Sequence, residues 1–330
     1  MRPVLSVVLP VFNERENLEP LAARLWPVLE QSGEPFEVVF VDDGSRDGSS
    51  ELLDALHGRD ARMKVVHLSR NFGHQAALQA GLDHAAGDAV VLMDADLQDP
   101  PELLIQFVAA WRGGHDVVYA VRRTRREGAL KRFAYALFYR TVKVMAEIDV
   151  PLDAGDFCLL DRRVVDTLVA LPEHNRFLRG LRSWVGFRQT GIEYARDARY
   201  AGAPKYTLRK LIRLAVSGYV GFSSMPLRVA AGIGLLAALL GFTLAAWVTY
   251  TKLVQIPSPR GWASLMAVLL IVAGVQLLVL GVLGEYLGRV YDEVRRRPLY
   301  IASARLGFEA RRDALAPRRA AAHDDLGLRP

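Results

Sequence analysis

The residues best able to do chemistry are crowded together. In "VVLMDADLQDPPELL", Val90 to Leu104, an apolar run ends in Asp94, Asp96, Gln98 and Asp99. Carboxylates this close repel one another unless a cation stands between them. A hard divalent cation takes oxygen ligands and keeps waters and substrate phosphates, so a couple of carboxylates suffice. Asp94 and Asp96 would share a face of a regular strand. At a strand end they can bracket one ion, with Gln98 as a further oxygen donor. Asp99, before Pro100 and Pro101, fits a helix N-cap instead.

Two further acidic stretches stand out. In "VDDGSRDGS", Asp42 and Asp43 can close an Asx turn at Gly44. Asp42 can equally accept from a base N–H, and Asp43 either caps the next helix or joins the site. In "PLDAGDFCLLDRR", Asp153 and Asp156 flank Gly155 on what reads as a loop. Glu14 can serve as a first-turn helix charge. His74 in "NFGHQAAL" reads as a helix start that packs locally. Scattered histidines and the single cysteine, Cys158, exclude a zinc site and an internal disulfide.

The elements that must position these groups alternate strand and helix. "LSVVLPVF" reads as a first strand, and Asn13 caps a helix from about Glu16 to Gln31. "FEVVFVDD" is a second strand, Ser45–Leu56 a helix, "MKVVHLS" a strand and His74–Ala85 a helix. "DAVVLMDAD" is a fourth strand, Pro101–Trp111 a helix and "HDVVYAVR" a fifth strand. Continuous Val/Leu runs between helices indicate a parallel sheet covered on both faces. Such sheets bind ligands at the carboxyl ends of their strands. The polar clusters fall there: Pro10–Glu14, Asp42–Ser45, Ser69–Gly73 and Asp94–Gln98. No Gly-x-Gly-x-x-Gly follows the first strand and no P-loop exists, so phosphates must be handled another way.

The 330 residues are 51% hydrophobic and 24% charged, with a net charge of +6. The hydrophobicity is uneven. Residues 1–225 read as a globular αβ domain. From Val229 an uncharged run continues to Tyr250, and a second spans about 263–285. Each is one bilayer crossing long. The short linker makes them a hairpin, so 226–288 reads as a membrane domain and 289–330 as a tail, disordered from about Ser303. Small residues in "AGIGLLAALLG" suit helix packing. Basic residues flank the hairpin at Lys205, Arg209, Lys210, Arg213 and Arg228 on one side, and at Arg289 and Arg295–Arg297 on the other. This places both termini and the N-terminal domain in the cytoplasm, with a multi-pass anchor in the cytoplasmic membrane. The first residues do not read as a signal peptide. Positions 128–146 and 207–222 read as basic amphipathic helices that lie in the interface. The membrane accounts for this basic charge, so no nucleic-acid partner is expected.

"VDDGSRDGS", "SRNFGHQAALQAGLDHA", "DADLQDPPELL" and "RFLRGLRSWVGFRQTGIEYARDARYAG…KY" resemble the polyprenyl-phosphate glycosyltransferases of glycosyltransferase family 2. Dolichol-phosphate mannose synthase is a relative, and the bactoprenol glucosyltransferase branch shares the hairpin. The resemblance covers residues 3–300. It implies a GT-A-like, Rossmann-like domain and transfer of a hexose, best taken as glucose from a UDP-sugar, onto undecaprenyl phosphate. It assigns Asp42, Pro10, Phe12 and Glu14 to the uridine, with Arg70 and Asn71 beside it. Asp96 and Gln98 would hold Mg²⁺ or Mn²⁺, and Asp94 would reach ribose or metal. Asp156 would stand on the acceptor side, as a base or a positioning group. Arg122 would meet the lipid phosphate, and Arg199 and Lys205 the pyrophosphate. It also implies a homotetramer. Two departures matter: relatives often carry Arg where this chain has Cys158, for which Arg162 could substitute, and Ala203-Pro204 stiffens the loop before Lys205. GDP-mannose, UDP-4-amino-arabinose or a UDP-N-acetylhexosamine remain alternative donors. A non-catalytic nucleotide-sugar scaffold is a reading from another class, and the intact carboxylates argue against it. Two spans give no channel for processive polymerisation.

Overall fold

A computed structural model describes residues 2–122, 154–173, 176–194, 225–254 and 261–308. The elements run β1 (Leu5–Val11), α1 (Arg15–Gln31), β2 (Phe36–Asp42), α2 (Ser49–Arg59), β3 (Met63–Leu68), α3 (His74–His84), β4 (Ala89–Leu92), α4 (Leu103–Arg112) and β5 (Val117–Arg122). After residues outside the description come β6 (Ala154–Asp161), α5 (Arg162–Ala170), α6 (Leu178–Trp184) and β7 (Gln189–Tyr194). The long helices α7 (Met225–Leu253) and α8 (Trp262–Arg295) and the strand β8 (Ala302–Leu306) close the described chain.

β1 and β2 are buried at every position, as unbroken Val/Leu runs require when both sheet faces are covered. Alternate side chains go to opposite sides. Val7, Leu9 and Val38 pack with α1, α2 and α4 through Leu18, Leu25, Leu53 and Phe107. Val8, Val39 and Val41 pack with α3, α5 and α6 through Leu78, Leu82, Val164 and Leu181. At Gly81 of α3 an added Cβ would meet Val8 Cγ1 at 2.1 Å, so this helix lies directly on β1.

The eight strands are ordered β7-β5-β6-β4-β1-β2-β3-β8. The sheet is mixed, which corrects the all-parallel expectation. β6 runs antiparallel between β4 and β5, and β8 antiparallel along β3. Asp156 therefore lies on a strand between two neighbours, not on a loop. The start of β6, "AGD", lacks the continuous apolar character of its end, "FCLLD", so the sequence alone does not mark it as a strand.

α7 and α8 pack against each other and leave large apolar side chains exposed, among them Leu236, Phe242, Trp247, Leu277 and Leu280. An apolar surface on this scale is compatible with a lipid environment. By length and composition the segment Ile271–Arg295 can cross a membrane, and Val229–Thr243 is a shorter apolar stretch. The helices extend beyond the expected spans at both ends, because α7 begins at Met225 and α8 continues to Arg295. The chain then returns to the catalytic domain. Ser303, expected to open a disordered tail, lies in β8, where its Oγ donates to the His67 carbonyl at 3.1 Å. Tyr300 Oη donates to Asp83 Oδ2 at 2.8 Å, and Phe308 meets His84 edge-on at 5.3 Å. The two amphipathic helices read from the sequence lie outside the described residues.

Candidate active site

The carboxyl ends of β1 and β2 are laced together. Asn13 has a φ of 54° and does not cap α1. Its Oδ1 accepts from the Arg46 N–H at 2.8 Å, and its own N–H donates to Ser45 Oγ at 3.0 Å. Ser49 Oγ and Asp47 Oδ2 accept from the N–H groups of Glu14 and Arg15, at 3.1 Å each. The orphan donors at the start of α1 are thus satisfied from the "GSRDGS" loop across the sheet. Pro10 is buried, Phe12 is exposed and Glu14 is partly buried. Glu14 Oε2 accepts from Asn17 Nδ2 at 2.5 Å.

Asp42 is 2% exposed. Its Oδ1 accepts from the Ser45 N–H at 2.9 Å, and its Oδ2 bonds Ser50 Oγ at 2.5 Å and His67 Nδ1 at 2.9 Å. Burial opposes the charge, but bonds from His67, Ser50 and Ser45 outweigh it and lower the pKa to about 2. A carboxylate has about four acceptor positions, and His67, Ser50 and the N–H and hydroxyl of Ser45 engage this one. His67 also meets Asp54 Oδ1 at 2.8 Å, and the Asp42 bond foremost raises its pKa against burial. Asp43 does not cap α2. It accepts from the N–H groups of Phe72 and Gly73, at 2.7 and 3.0 Å, at the entrance to α3. Gly44 permits this approach: its φ is +70°, and a Cβ there would lie 2.7 Å from the Arg70 carbonyl carbon. Arg70 and Asn71 accordingly stand against the "DDGS" loop.

Asp94 and Asp96 follow the end of β4. Asp96 is 6% exposed and its Oδ1 accepts from the Gln98 N–H at 3.2 Å. Leu97, between them, has a φ of 60°. A left-handed leucine stores roughly 1–2 kcal/mol of strain, a cost that collects at functional sites. Asp99 is not an N-cap: it is 1% exposed and accepts from Tyr194 Oη of β7 at 2.6 Å, while α4 starts later, after Glu102. Burial first, and then the charges of Asp99, Asp156 and Asp96, push Asp94 up to about 6 against the pull of His74.

His74, expected only to start a helix, does start α3 but also enters this cluster. Its Nε2 lies 3.6 Å from Asp94 Oδ1 and 3.4 Å from Asp156 Oδ2. It bridges the carboxylate after β4 and the one on β6. On the far side of Asp156, Arg179 of α6 donates through Nε to Oδ1 at 2.7 Å and through Nη2 to Oδ2 at 2.9 Å. Burial raises the Asp156 pKa, but the bonds from His74 and Arg179 prevail and hold it well below the carboxylate range. The sequence carried a signal for this pair in "RFLRGLRSW", whose basic residues recur on one helical face; the partner could not be read from it.

Arg162 does not stand in for the arginine missing at Cys158. It donates to the Gly87 and Ala85 carbonyls, the latter at 2.9 Å, and faces Asp166 at 3.5 Å. The guanidinium beside Cys158 is that of Arg182. Arg122 ends β5 opposite Tyr194 of β7. Asp153, Arg199 and Lys205 lie outside the described residues. No preassembled group of three His, Cys, Asp or Glu ligands occurs among the described residues. Asp94, Asp96 and Gln98 nevertheless offer the oxygen donors that Mg²⁺ or Mn²⁺ takes when substrate phosphates complete its sphere. Burial first, and then mutual repulsion, raise Asp94, and a cation there would offset both.

Comparison with known proteins bears on this arrangement. Residues 6–169 match the model of glycosyl transferase family 2, and residues 225–290 that of the GtrB C-terminal hairpin. The chain is 47% identical to an uncharacterized glycosyltransferase, YkcC, of Bacillus subtilis (strain 168), over 93% of this chain and 95% of that one. It is 41% identical to the bactoprenol glucosyl transferase of Shigella phage SfII, over 90% and 96%. It is 39% identical to the prophage bactoprenol glucosyl transferase homolog of Escherichia coli (strain K12), over 90% and 97%. With its GT-A-like mixed sheet, its carboxylates at the strand ends and its C-terminal hairpin, the chain belongs to glycosyltransferase family 2, in the branch of the bactoprenol glucosyl transferases.

Proposed function

We propose that the protein transfers glucose from UDP-glucose to a polyprenyl phosphate of the undecaprenyl type, with inversion, at the cytoplasmic face of the membrane. The observation that carries this is the row Asp94–His74–Asp156–Arg179, in which His74 stands within ion-pair distance of both a donor-side carboxylate and an acceptor-side ion pair. The names of the bactoprenol glucosyl transferases support both the sugar and the lipid. The hairpin and its flanking arginines support the membrane face.

The chemistry follows from the residues. A lipid phosphate has a second pKa near 6 and is largely a dianion at neutral pH, so it needs no strong base. Asp156, held ionised by Arg179, is a poor proton acceptor and serves to orient. A phosphate oxygen forms the new bond to the anomeric carbon while the bond to the UDP oxygen breaks on the opposite face. Its electron pair leaves with UDP. Asp94, Asp96 and Gln98 would hold Mg²⁺ or Mn²⁺; a divalent cation bound there supplies neutralisation of the diphosphate leaving group. Asp42 reads the uracil N–H, with Pro10, Phe12 and Glu14 around the uridine. Arg122, Arg199 and Lys205 meet the phosphates, and the chain works as a homo-oligomer.

The test incubates purified protein with undecaprenyl phosphate, Mg²⁺ or Mn²⁺ and a panel of UDP- and GDP-sugars, and analyses the organic phase by mass spectrometry. Glucosyl phospholipid formed only with UDP-glucose and a divalent ion is the expected result. No glycolipid with any donor, from protein that is folded and binds UDP, would overturn the proposal.

A further inference from the structure

The stretch "HQAALQAGLDH" forms helix α3, and the site described above uses only its first residue, His74. Gln75, Gln79 and Asp83 recur every four residues, so they form one stripe along the helix. Gln75 Oε1 accepts from the N–H of Leu178, the first residue of α6, at 3.1 Å. Gln79 is 2% exposed. Its Oε1 accepts from Arg176 Nη1 at 2.7 Å, and its Nε2 donates to Asp83 Oδ1 at 2.7 Å. Asp83 Oδ2 in turn accepts from Tyr300 Oη at 2.8 Å.

The Gln79 amide stands between a guanidinium and a carboxylate, which fixes its orientation. Reversed, it would set donor against donor at Arg176 and acceptor against acceptor at Asp83. Arg176 is also held by the Leu168 carbonyl of α5 at 2.8 Å. The chain is therefore clamped to α3 at residue 176 and again at residue 178. The next residue is Arg179, whose guanidinium holds Asp156. Asp156 faces His74, at the head of the same α3, at 3.4 Å. One helix thus carries both His74 and the clamps that precede Arg179.

We infer that Gln75 and Gln79 are positioning residues for the acceptor side, and that Tyr300, which follows the hairpin, steadies Gln79 through Asp83. Neither glutamine is assigned a contact with a reacting atom. They act by fixing where Arg179 meets Asp156. The inference rests on the reading of Asp156 and Arg179 as the acceptor side.

The test uses full-length protein in detergent and measures kcat/KM for polyprenyl phosphate beside the affinity for UDP. Gln79→Met should lower kcat/KM for the lipid by about tenfold, as displacement of a reacting geometry does, and leave UDP affinity at the wild-type value. In an Arg179→Met background the same substitution should have little further effect, because the group it acts through is gone. Tyr300→Phe removes one hydroxyl from a half-buried ring and should act in the same direction by less; it serves if Gln79→Met does not fold. Amide hydrogen exchange gives a readout independent of turnover: the α6 amides, Leu178 first, should exchange faster in Gln75→Met and Gln79→Met. Absence of any glycolipid would therefore sink the proposed reaction alone, and α6 exchange would still decide this inference. Equal losses in both backgrounds, a parallel loss of UDP affinity, or α6 amides that exchange as in the wild type would overturn it.

Discussion

Replacing Arg179 by Met tests the acceptor-side pair most directly. The Asp156 side chain is 10% exposed and that of Arg179 is 36% exposed. Breaking a fully buried ion pair by removing one partner costs roughly 3–5 kcal/mol, whereas exposed pairs contribute roughly 0–1 kcal/mol. Arg179 sits between these limits. Its bidentate geometry favours the upper side and its partial exposure screens it, so the expected loss is about 2 kcal/mol. For a domain of this size that corresponds to a fall in unfolding temperature of roughly 4–8 °C. Asp156→Asn should cost less, because it leaves the more exposed partner unpaired. The double variant should recover most of the stability, with a coupling energy of about 1.5 kcal/mol in the cycle. It should not recover turnover, which both single variants reduce at least about tenfold. The pH dependence has a definite sign. The Asp156 pKa is depressed, so its contribution is present above the unfolded value of about 3.9 and lost as pH falls through the folded one. In Arg179→Met burial gains the upper hand, and the acid limb of stability and activity should move toward neutral pH. The reasoning fails if Asp156→Asn turns over near normally, or if the two substitutions add without coupling.

Other perturbations reach different parts of the site. His74→Ala should lower kcat by about tenfold or more and weaken Mn²⁺ binding to the donor-free protein, measured by paramagnetic resonance; His74→Gln, which keeps a donor, should restore part of both. Gly44→Ala must place a Cβ against the Arg70 and Asn71 backbone at positive φ, so a loss of about 2 kcal/mol or more is expected in thermal unfolding. The His67 pKa is raised and that of Asp42 lowered. Their mutual stabilisation should therefore be complete between about pH 4 and 6.5. It declines as pH rises through the folded His67 value, and again as pH falls toward the Asp42 value of about 2. His67→Gln should abolish the alkaline decline, and an unchanged pH–stability profile would refute this. Deleting residues from Pro298 onward removes β8 and should expose β3 amides to hydrogen exchange.

The parts of the fold that local rules dictate were legible. Unbroken apolar runs revealed β1 to β5, and two long uncharged runs revealed the hairpin. What depended on pairing across the sheet was not. β6 opens with polar residues whose burial comes from its neighbours β4 and β5. β8 is a short "ASARL" segment that becomes a strand only against the open edge of β3. The site shows the same division. Asp94 and Asp96 could be marked as reactive types where the apolar run of β4 ends, whereas Asp156 was marked only through the family resemblance. Asp43, Asp99 and Asn13 looked like helix caps, and each turned out to bind a group distant in sequence. His74 was undervalued because a histidine at a helix start has an ordinary explanation, and its neighbours come from β4 and β6.

The late return of the chain also bears on how the membrane and the site are coupled. α8 continues to Arg295, and only seven residues later β8 begins to pair with β3. β3 is the strand that carries His67, which bonds Asp42, and Asp42 bonds the loop that fastens β1 to β2. The hairpin is therefore tied to the nucleotide edge of the sheet through β8. The β5–β6 connection, read from sequence as a membrane-surface helix, leads to the acceptor edge. The pairing of β8 with β3 thus ties the end of the hairpin to the strand that carries His67.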